Sequence, residues 1–231
     1  MIYDSYNVDL DIEFYKHEAE QLLTSPDSKI KKTGRTDLNY FTSVPVESKS
    51  KLSSYITNLL GITYDWNWEY FHSGEPVGLH TDYLAFPNVW NTTTAQDCHV
   101  EVGIIIPLDW NCKQPYTINY NRTTDVPRKM LFRNGEMRYI DNNEVVNYRD
   151  KWEYDANSLV YNPEGTDCYK QFADLKVHSV YKWKIGTALA FDTKRWHSSS
   201  WFLKDNTLPK ISTEYKRSII GFGSINYDIK T

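Results

Sequence analysis

Apolar residues recur at helical spacing in two segments near the start of the chain. In residues 11–23, DIEFYKHEAEQLL, the apolar positions share one helical face, and a Ser-Pro pair follows as a stop signal. In residues 49–60 the leucines and an isoleucine repeat at the same spacing after several serines suited to a helix cap, and Gly61 stands where a left-handed C-terminal residue is typical. The pattern predicts two packing helices in an N-terminal support region, residues 1–62.

After the second helix the pattern changes to short runs typical of strands. These runs are ITYDWNWEYF, HVEVGIIIPL, KWKIGTALAF and RSIIGFGSI. Residues 113–180, between the second and third runs, contain LFRNGEMRYI, whose Asn134-Gly135 pair predicts a tight hairpin, and DNNE offers another turn. We expect one domain, 1–231, that is mainly β, with flanking N-terminal helices and a β-rich insertion at 113–180.

Composition and charge narrow the classes of function. A hydrophobic content of 40% with eight Trp and 18 Tyr excludes a disordered chain, and such rings suit sheets and ligand clefts better than helix bundles. The formal net charge of −4 comes from basic and acidic residues that are interleaved along the chain. We therefore expect no nucleic-acid partner and a small-molecule or peptidic substrate. Oligomeric state leaves no mark in the sequence.

The cysteines and the N-terminus bear on the cellular compartment. Cys98, Cys112 and Cys168 are odd in number, and their spacing fits neither a zinc knuckle nor a disulfide framework. The N-terminal segment is acidic, and no window approaches 18 apolar residues. We expect reduced thiols, a cytoplasmic location and no membrane partner.

Candidate chemistry begins in the stretch GLHTDY. If this stretch is a strand or its extension, His80 and Asp82 project to the same face, because side chains alternate with period two. A third ligand, His197, follows the apolar run that ends at Phe191. Two imidazoles and one carboxylate leave three coordination positions open, which suits non-haem Fe(II) and O2 chemistry, whereas a structural zinc site is closed by four ligands.

A cation at the head of the last apolar run offers an anchor for an acidic cosubstrate. Arg217 alternates with Ile219 and Gly221 on one face, so its guanidinium is a candidate to reach a barrel mouth and bind a carboxylate with two hydrogen bonds. Lys216 points the other way.

These segments, in this order, resemble the Fe(II)- and 2-oxoglutarate-dependent oxygenases, most closely the prolyl-hydroxylase-like branch and small oxygenases of that kind in phage and bacterial genomes. The resemblance rests on YFHSGEPVGLHTD, VEVGIIIPLDW, GTALAFDTKRWHS and KRSIIGF, and it covers about half of the chain. It implies a double-stranded β-helix, a jelly-roll or cupin-like barrel with one open mouth.

The resemblance also implies roles for individual residues. His80, Asp82 and His197 would hold Fe(II), and Arg217 would pair with the far carboxylate of 2-oxoglutarate. Tyr70 would touch the same cosubstrate, although an ordinary sheet aromatic is an equally good interpretation of that residue. The implied reaction uses O2 and 2-oxoglutarate, releases succinate and CO2, and hydroxylates a prime substrate that the sequence does not identify.

Two spacings depart from the family pattern, and two other functions stay open. The 117 residues from His80 to His197 are many for the family, and the gap from His197 to Arg217 is also long. If the intervening loop changes the register, Lys216 or Arg195 is the anchor instead. The alternatives are a cupin-like metal enzyme that needs no 2-oxoglutarate, and a non-catalytic jelly-roll binding module in which the His-x-Asp pair is accidental.

Overall fold

The chain forms two helices and thirteen strands in the residues that the computed structural model describes. The described residues are 4–25, 30–33, 38–75, 77, 82, 100–113, 115–123, 129–133, 136–141, 144–146, 177–200 and 213–224. The elements, in chain order, are β1 (Asp4–Asn7), α1 (Ile12–Thr24), β2 (Lys31–Thr33), β3 (Asn39–Ser43), α2 (Val46–Leu60), β4 (Asp65–Ser73), β5 (Val100–Trp110), β6 (Tyr116–Thr123), β7 (Lys129–Arg133), β8 (Glu136–Asp141), β9 (Glu144–Val146), β10 (Val177–Lys182), β11 (Thr187–Asp192), β12 (Arg195–Ser199) and β13 (Lys216–Ser224).

Both predicted helices are confirmed. The Asp11 carboxylate accepts a hydrogen bond from the backbone N–H of Phe14 and so caps the start of α1. Helix α2 begins three residues earlier than predicted, after Pro45, and no side chain caps it, so the serines expected as caps lie inside the helix. Gly61 ends α2 in the left-handed conformation with φ 67°, which suits a residue without a Cβ.

A seven-stranded sheet, which we call the large sheet, carries the two helices on one face. Its strand order is β1-β11-β5-β13-β4-β3-β2, and the recorded pairings are antiparallel. Alternate apolar residues of the strands pack against the buried faces of α1 and α2, with Leu52 and Ile56 meeting a layer that includes Trp68, Ile104 and Ile219. This layer is the hydrophobic core, and we call this side of the sheet the helix-covered face.

A three-stranded sheet lies against the other side of the large sheet. We call it the small sheet, and its order is β10-β6-β12. Contacts between the sheets include the Phe191 ring of β11, which lies 4.6 Å from the His197 ring of β12, centroid to centroid. Gly103 on β5 leaves room for that phenyl ring, since a Cβ there would lie 2.5 Å from Phe191 Cζ. The two sheets enclose a space that we call the inner face.

The predicted fold is confirmed, since the described residues are mainly β and form a jelly-roll of facing sheets with flanking helices. The boundaries of the predicted parts need correction. The region called an insertion, 113–180, contains β6 and most of β10, which are strands of the small sheet. The region called helical support, 1–62, also supplies β1, β2 and β3 to the large sheet. Both errors arise because strand pairing over long sequence separations leaves no local pattern.

Two smaller predictions fall partly on described residues. Strands β7 and β8 pair antiparallel with Arg133 opposite Glu136, as the hairpin prediction requires, although the Asn134-Gly135 turn itself lies outside the described residues. Cys112 is buried and is in no disulfide among the described residues, whereas Cys98 and Cys168 lie outside them. No helix in the described ranges is long and apolar enough to cross a membrane.

Candidate functional site

Asp82 and His197, two of the three predicted metal ligands, lie side by side. The Asp82 Oδ2 atom is 3.1 Å from His197 Nε2, and both side chains are largely shielded from solvent. Strand β12 supplies the histidine, and the backbone N–H of Asp82 donates to the carbonyl of Thr193, just before that strand. Asp82 thus meets residues 111 or more positions later in the chain, because its backbone is hydrogen-bonded to Thr193 at the start of β12.

The hydrogen bond of His197 Nδ1 defines which nitrogen carries the proton. Nδ1 lies 3.0 Å from the carbonyl oxygen of Arg195, and a carbonyl oxygen only accepts, so Nδ1 donates. In the neutral imidazole the lone pair of Nε2 then faces the Asp82 carboxylate. Two acceptors at 3.1 Å repel each other unless a proton or a metal cation lies between them. This tautomer, with Nδ1–H held by a backbone carbonyl, is typical of metal-binding histidines.

The third predicted ligand, His80, lies outside the described residues, so the complete triad stays a prediction. Among the residues that the structure describes, no group of three His, Cys, Asp or Glu side chains is arranged to hold a metal ion. The described residues on either side of His80 are both fixed. Val77 exchanges hydrogen bonds with Ser199, and Asp82 is bonded to Thr193.

Lys216 is a buried basic residue on the inner face. Its Nζ atom lies 4.5 Å from the centroid of the Trp183 ring and 3.4 Å from the carbonyl oxygen of Tyr116. Tyr116 belongs to β6 of the small sheet, and Trp183 directly follows β10. Burial lowers the pKa of Lys216 to about 7, which the nearby Cys112 only partly opposes. Ser218, two residues further along β13 and therefore on the same face, is also buried. A lysine and a hydroxyl thus point together into the space between the sheets.

Arg217 points to the opposite side of β13, so this geometry does not support the expectation that its guanidinium reaches the barrel mouth, and its role as the anchor stays a prediction. Its Nε donates to Asp109 Oδ1 at 2.7 Å, and its Nη2 donates to the second Asp109 oxygen and to Glu20 Oε1 at 2.8 Å. Burial by itself lowers the pKa of Arg217, but the hydrogen bonds and charge of Asp109 outweigh burial, and the net effect is a raised pKa. Glu20 belongs to α1, so Arg217 joins the large sheet to a helix.

Tyr70, the other residue expected to touch the cosubstrate, also lies on the helix-covered face. It is fully buried, and its hydroxyl donates to the Glu18 carboxylate of α1. Burial, with the hydrogen bond to Glu18, raises the pKa of Tyr70. This geometry favours the interpretation as a sheet aromatic, and the expected contact with the cosubstrate stays a prediction. Arg195, an alternative anchor, donates from Nη1 to the carbonyl of Tyr120.

Strand β6 connects the ligand pair to the lysine along the inner face. Asn119 of β6 is the cross-strand partner of His197, and the Tyr116 carbonyl near Lys216 lies three residues earlier in the same strand. Three residues of a strand span about 10 Å. No local pattern marks Asn119, because β6 lies in the region taken for an insertion. The spacing of Lys216 and Ser218 was visible but could not be assigned to the inner face.

Comparison with known proteins finds likeness in structure alone. No protein-family model matches the sequence, and neither does any curated protein. The epimerase SnoN, solved with Fe3+, α-ketoglutarate (2-oxoglutarate) and nogalamycin RO, is 12% identical with a TM-score of 0.54, covering 96% of this chain and 78% of that one. The α-ketoglutarate-dependent carbocyclase SnoK of nogalamycin biosynthesis is 9% identical with a TM-score of 0.56, covering 96% and 78%.

A third solved structure is AviO1 from Streptomyces viridochromogenes Tue57. It is 12% identical with a TM-score of 0.51, and the match covers 97% of this chain and 90% of that one. At identities this low, the structural matches demonstrate a shared fold alone. The chain therefore has the fold that its resemblance to the Fe(II)- and 2-oxoglutarate-dependent oxygenases implied.

Proposed function

We propose that the protein is an Fe(II)- and 2-oxoglutarate-dependent oxygenase that hydroxylates a small-molecule or peptidic prime substrate. The observation that carries the proposal is the Asp82–His197 pair, in which the Nε2 lone pair of a fixed imidazole faces a carboxylate inside a barrel of this fold. Such a pair needs a proton or a metal cation between its two acceptors, and a metal is what we propose. Fe(II) is the metal that the predicted set of two histidines and one carboxylate suits.

The residues that would hold the metal are Asp82, His197 and, from the sequence, His80. An oxygen and a nitrogen donor are already close together in the described structure, and the arrangement fits the group. When bound, the iron with its cosubstrate supplies the O2-dependent oxidation that the side chains of the protein cannot perform. The protein contributes binding, orientation and exclusion of water.

Lys216, with Ser218, is the anchor that we propose for the far carboxylate of 2-oxoglutarate, in place of Arg217. The lysine lies on the same face as the ligand pair. The Tyr116 carbonyl that it contacts is three residues of β6, about 10 Å of strand, from Asn119 beside His197, a span that suits an extended five-carbon dicarboxylate. An ammonium group in a desolvated site binds a carboxylate strongly, since the charge-assisted hydrogen bond is not shared with water. Binding would raise the lowered pKa of the amine.

The aromatic side chains around these groups keep water away from them. The Phe191 ring flanks the imidazole of His197, and the Trp183 ring covers the amine of Lys216. The Arg195 carbonyl keeps the proton on Nδ1, so that Nε2 stays available as a donor to the metal. These contacts hold the two ends of the site ready before any ligand binds.

A visible charge-transfer band tests the proposal. Fe(II) and 2-oxoglutarate are added to the protein without oxygen, and we expect the weak band of the chelated cosubstrate for the unaltered chain. His197→Ala and Asp82→Ala should each abolish the band. His178→Ala is the matched control, because His178 is exposed on the outer side of β10 and should leave the band unchanged.

Folded protein without the band contradicts the proposal. If such protein still binds one equivalent of a divalent metal that is lost in Asp82→Ala, the cupin-like metal enzyme is the better function. Protein that binds no metal favours the non-catalytic binding module. Succinate release measured with a panel of small molecules and peptides then identifies the prime substrate.

A further inference from the structure

A row of three polar side chains crosses the small sheet at the level of the ligand pair. Ser179 of β10 and His197 of β12 are the partners of Asn119, which lies between them on β6. Cross-strand partners project to the same face, with Cβ atoms about 5 Å apart. His197 faces Asp82 and Phe191, so Asn119 and Ser179 share the inner face with it.

Two members of this row are buried polar groups without a hydrogen bond. The amide oxygen and nitrogen of Asn119 and the hydroxyl of Ser179 are closed to solvent and have no hydrogen-bond partner in the described part of the chain. Asn119 is only 1% exposed. A buried group left in this state destabilises the folded protein, so a folded chain rarely keeps several together without a use for them. Their position beside His197 indicates a ligand as the missing partner.

We propose that Asn119 and Ser179 form a subsite that hydrogen-bonds the acid end of the ligand held at Asp82 and His197. The inference rests on the proposed function and deepens it, since it assigns the keto-acid end of 2-oxoglutarate to these two residues. An amide N–H and a hydroxyl both donate to carboxylate oxygens. The far carboxylate belongs to Lys216, which lies toward the Tyr116 end of β6.

Two ligands that differ only at the far end separate the two subsites. 2-Oxobutyrate keeps the keto-acid group but lacks the far carboxylate of 2-oxoglutarate. Binding of each to Zn(II)-loaded protein is measured by titration calorimetry. Asn119→Leu should weaken both ligands about tenfold, the equivalent of one lost hydrogen bond to a charged group. Lys216→Met should weaken 2-oxoglutarate alone, and Ser179→Ala should have a smaller effect on both.

The controls keep this test independent of folding. Asn119→Leu removes two unsatisfied polar atoms, so it should unfold no more easily than the unaltered protein. Asn119→Asp keeps the shape and adds a negative charge, and it should weaken both acids more than the leucine variant does. Tyr120→Phe is the matched control on the same strand, because its buried hydroxyl contacts Ser198 on the opposite face. It should leave both affinities unchanged.

The possible failures differ from one another. If folded Asn119→Leu and Asn119→Asp bind both acids as the unaltered protein does, the subsite is wrong and the proposed function stands. If Asn119→Leu loses zinc itself, Asn119 supports His197 and not the ligand, which also overturns the inference. If the unaltered zinc-loaded protein binds neither acid, the proposed function fails.

Discussion

Two adjacent basic residues of β13 lie in different surroundings on the two faces of the strand. On the helix-covered face, Arg217 is enclosed by carboxylates of Asp109 and Glu20, which satisfy its guanidinium within the chain. On the inner face, Lys216 meets an aromatic ring and a backbone carbonyl, and burial lowers its pKa to about 7. The arginine is stabilised by its neighbours, whereas the lysine is held at a cost in free energy.

This difference separates a charge that ties the large sheet to a helix from a basic side chain that faces the space between the sheets. Tyr70 resembles Arg217 in this respect, since its hydroxyl is hydrogen-bonded to Glu18 and its ring lies in the hydrophobic core. Asn119 lies on the inner face with Lys216, and its amide has no hydrogen bond within the described residues. Arg217 and Tyr70 are matched by groups of the chain and stabilise the packing, whereas the unsatisfied amide of Asn119 marks it as part of the candidate site.

The largest expected effect separates Lys216 from Arg217. Lys216→Met should weaken 2-oxoglutarate binding roughly 10- to 100-fold, because it removes a charge-assisted hydrogen bond, and should raise the melting temperature by a few degrees. Arg217→Met should leave the affinity unchanged but lower the free energy of unfolding by about 2–4 kcal/mol, because it leaves Asp109 without its cation. Calorimetric titration and denaturant unfolding measure the two quantities.

Lys182→Met provides the control for this pair, since Lys182 is exposed on β10 and should change neither quantity. The comparison of the two faces breaks down if Arg217→Met weakens 2-oxoglutarate more than Lys216→Met does.

A smaller effect is expected from a methyl group added on each face. A Cβ at Gly221 would lie 2.2 Å from Trp68 Cζ3 in the core, and one at Gly103 would lie 2.5 Å from Phe191 Cζ on the inner face. Each alanine variant should lower the free energy of unfolding by about 1–3 kcal/mol through overpacking. Only Gly103→Ala should also change the intensity or position of the charge-transfer band, because it displaces the ring beside His197. Equal bands from the two folded variants would contradict the assignment of the faces.

The smallest effect concerns pH. The pKa of Lys216 is about 7 in the ligand-free protein and 10.5 as the unperturbed value, so the unfolded chain binds more protons between these limits. The destabilisation by Lys216 is therefore full below pH 7 and declines as the pH rises toward 10.5. Above pH 7 the amine loses its charge, and 2-oxoglutarate affinity should fall gradually, by less in total than Lys216→Met itself lowers it.

Lys216→Met removes this titration. The melting temperature of the unaltered protein should approach that of Lys216→Met as the pH rises from 7 to 9.5, and the affinity of the variant should vary less with pH in that range. A constant difference in melting temperature across this range would mean that Lys216 keeps its ordinary pKa.

Local patterns were sufficient for the elements whose own residues dictate them. The helical spacing in α1 and α2 and the apolar runs of β5 and β13 predicted these elements to within a few residues. Strand β6 was missed as a barrel strand because its polar, Tyr- and Asn-rich sequence pairs with β10 and β12, which lie about 60 to 80 residues away. Its Asn119 was missed with it.

The sequence by itself determined the chemistry that is available and the alternation along each strand. It named Asp82 and His197, which the fold brings together, and His80, which stays a prediction, and it placed Lys216 and Arg217 on opposite faces of one strand. Only the tertiary structure decided which face is the inner one, because that depends on where α1 and the small sheet pack. Alternation fixes that two neighbours point apart, and long-range packing fixes which of them reaches the site.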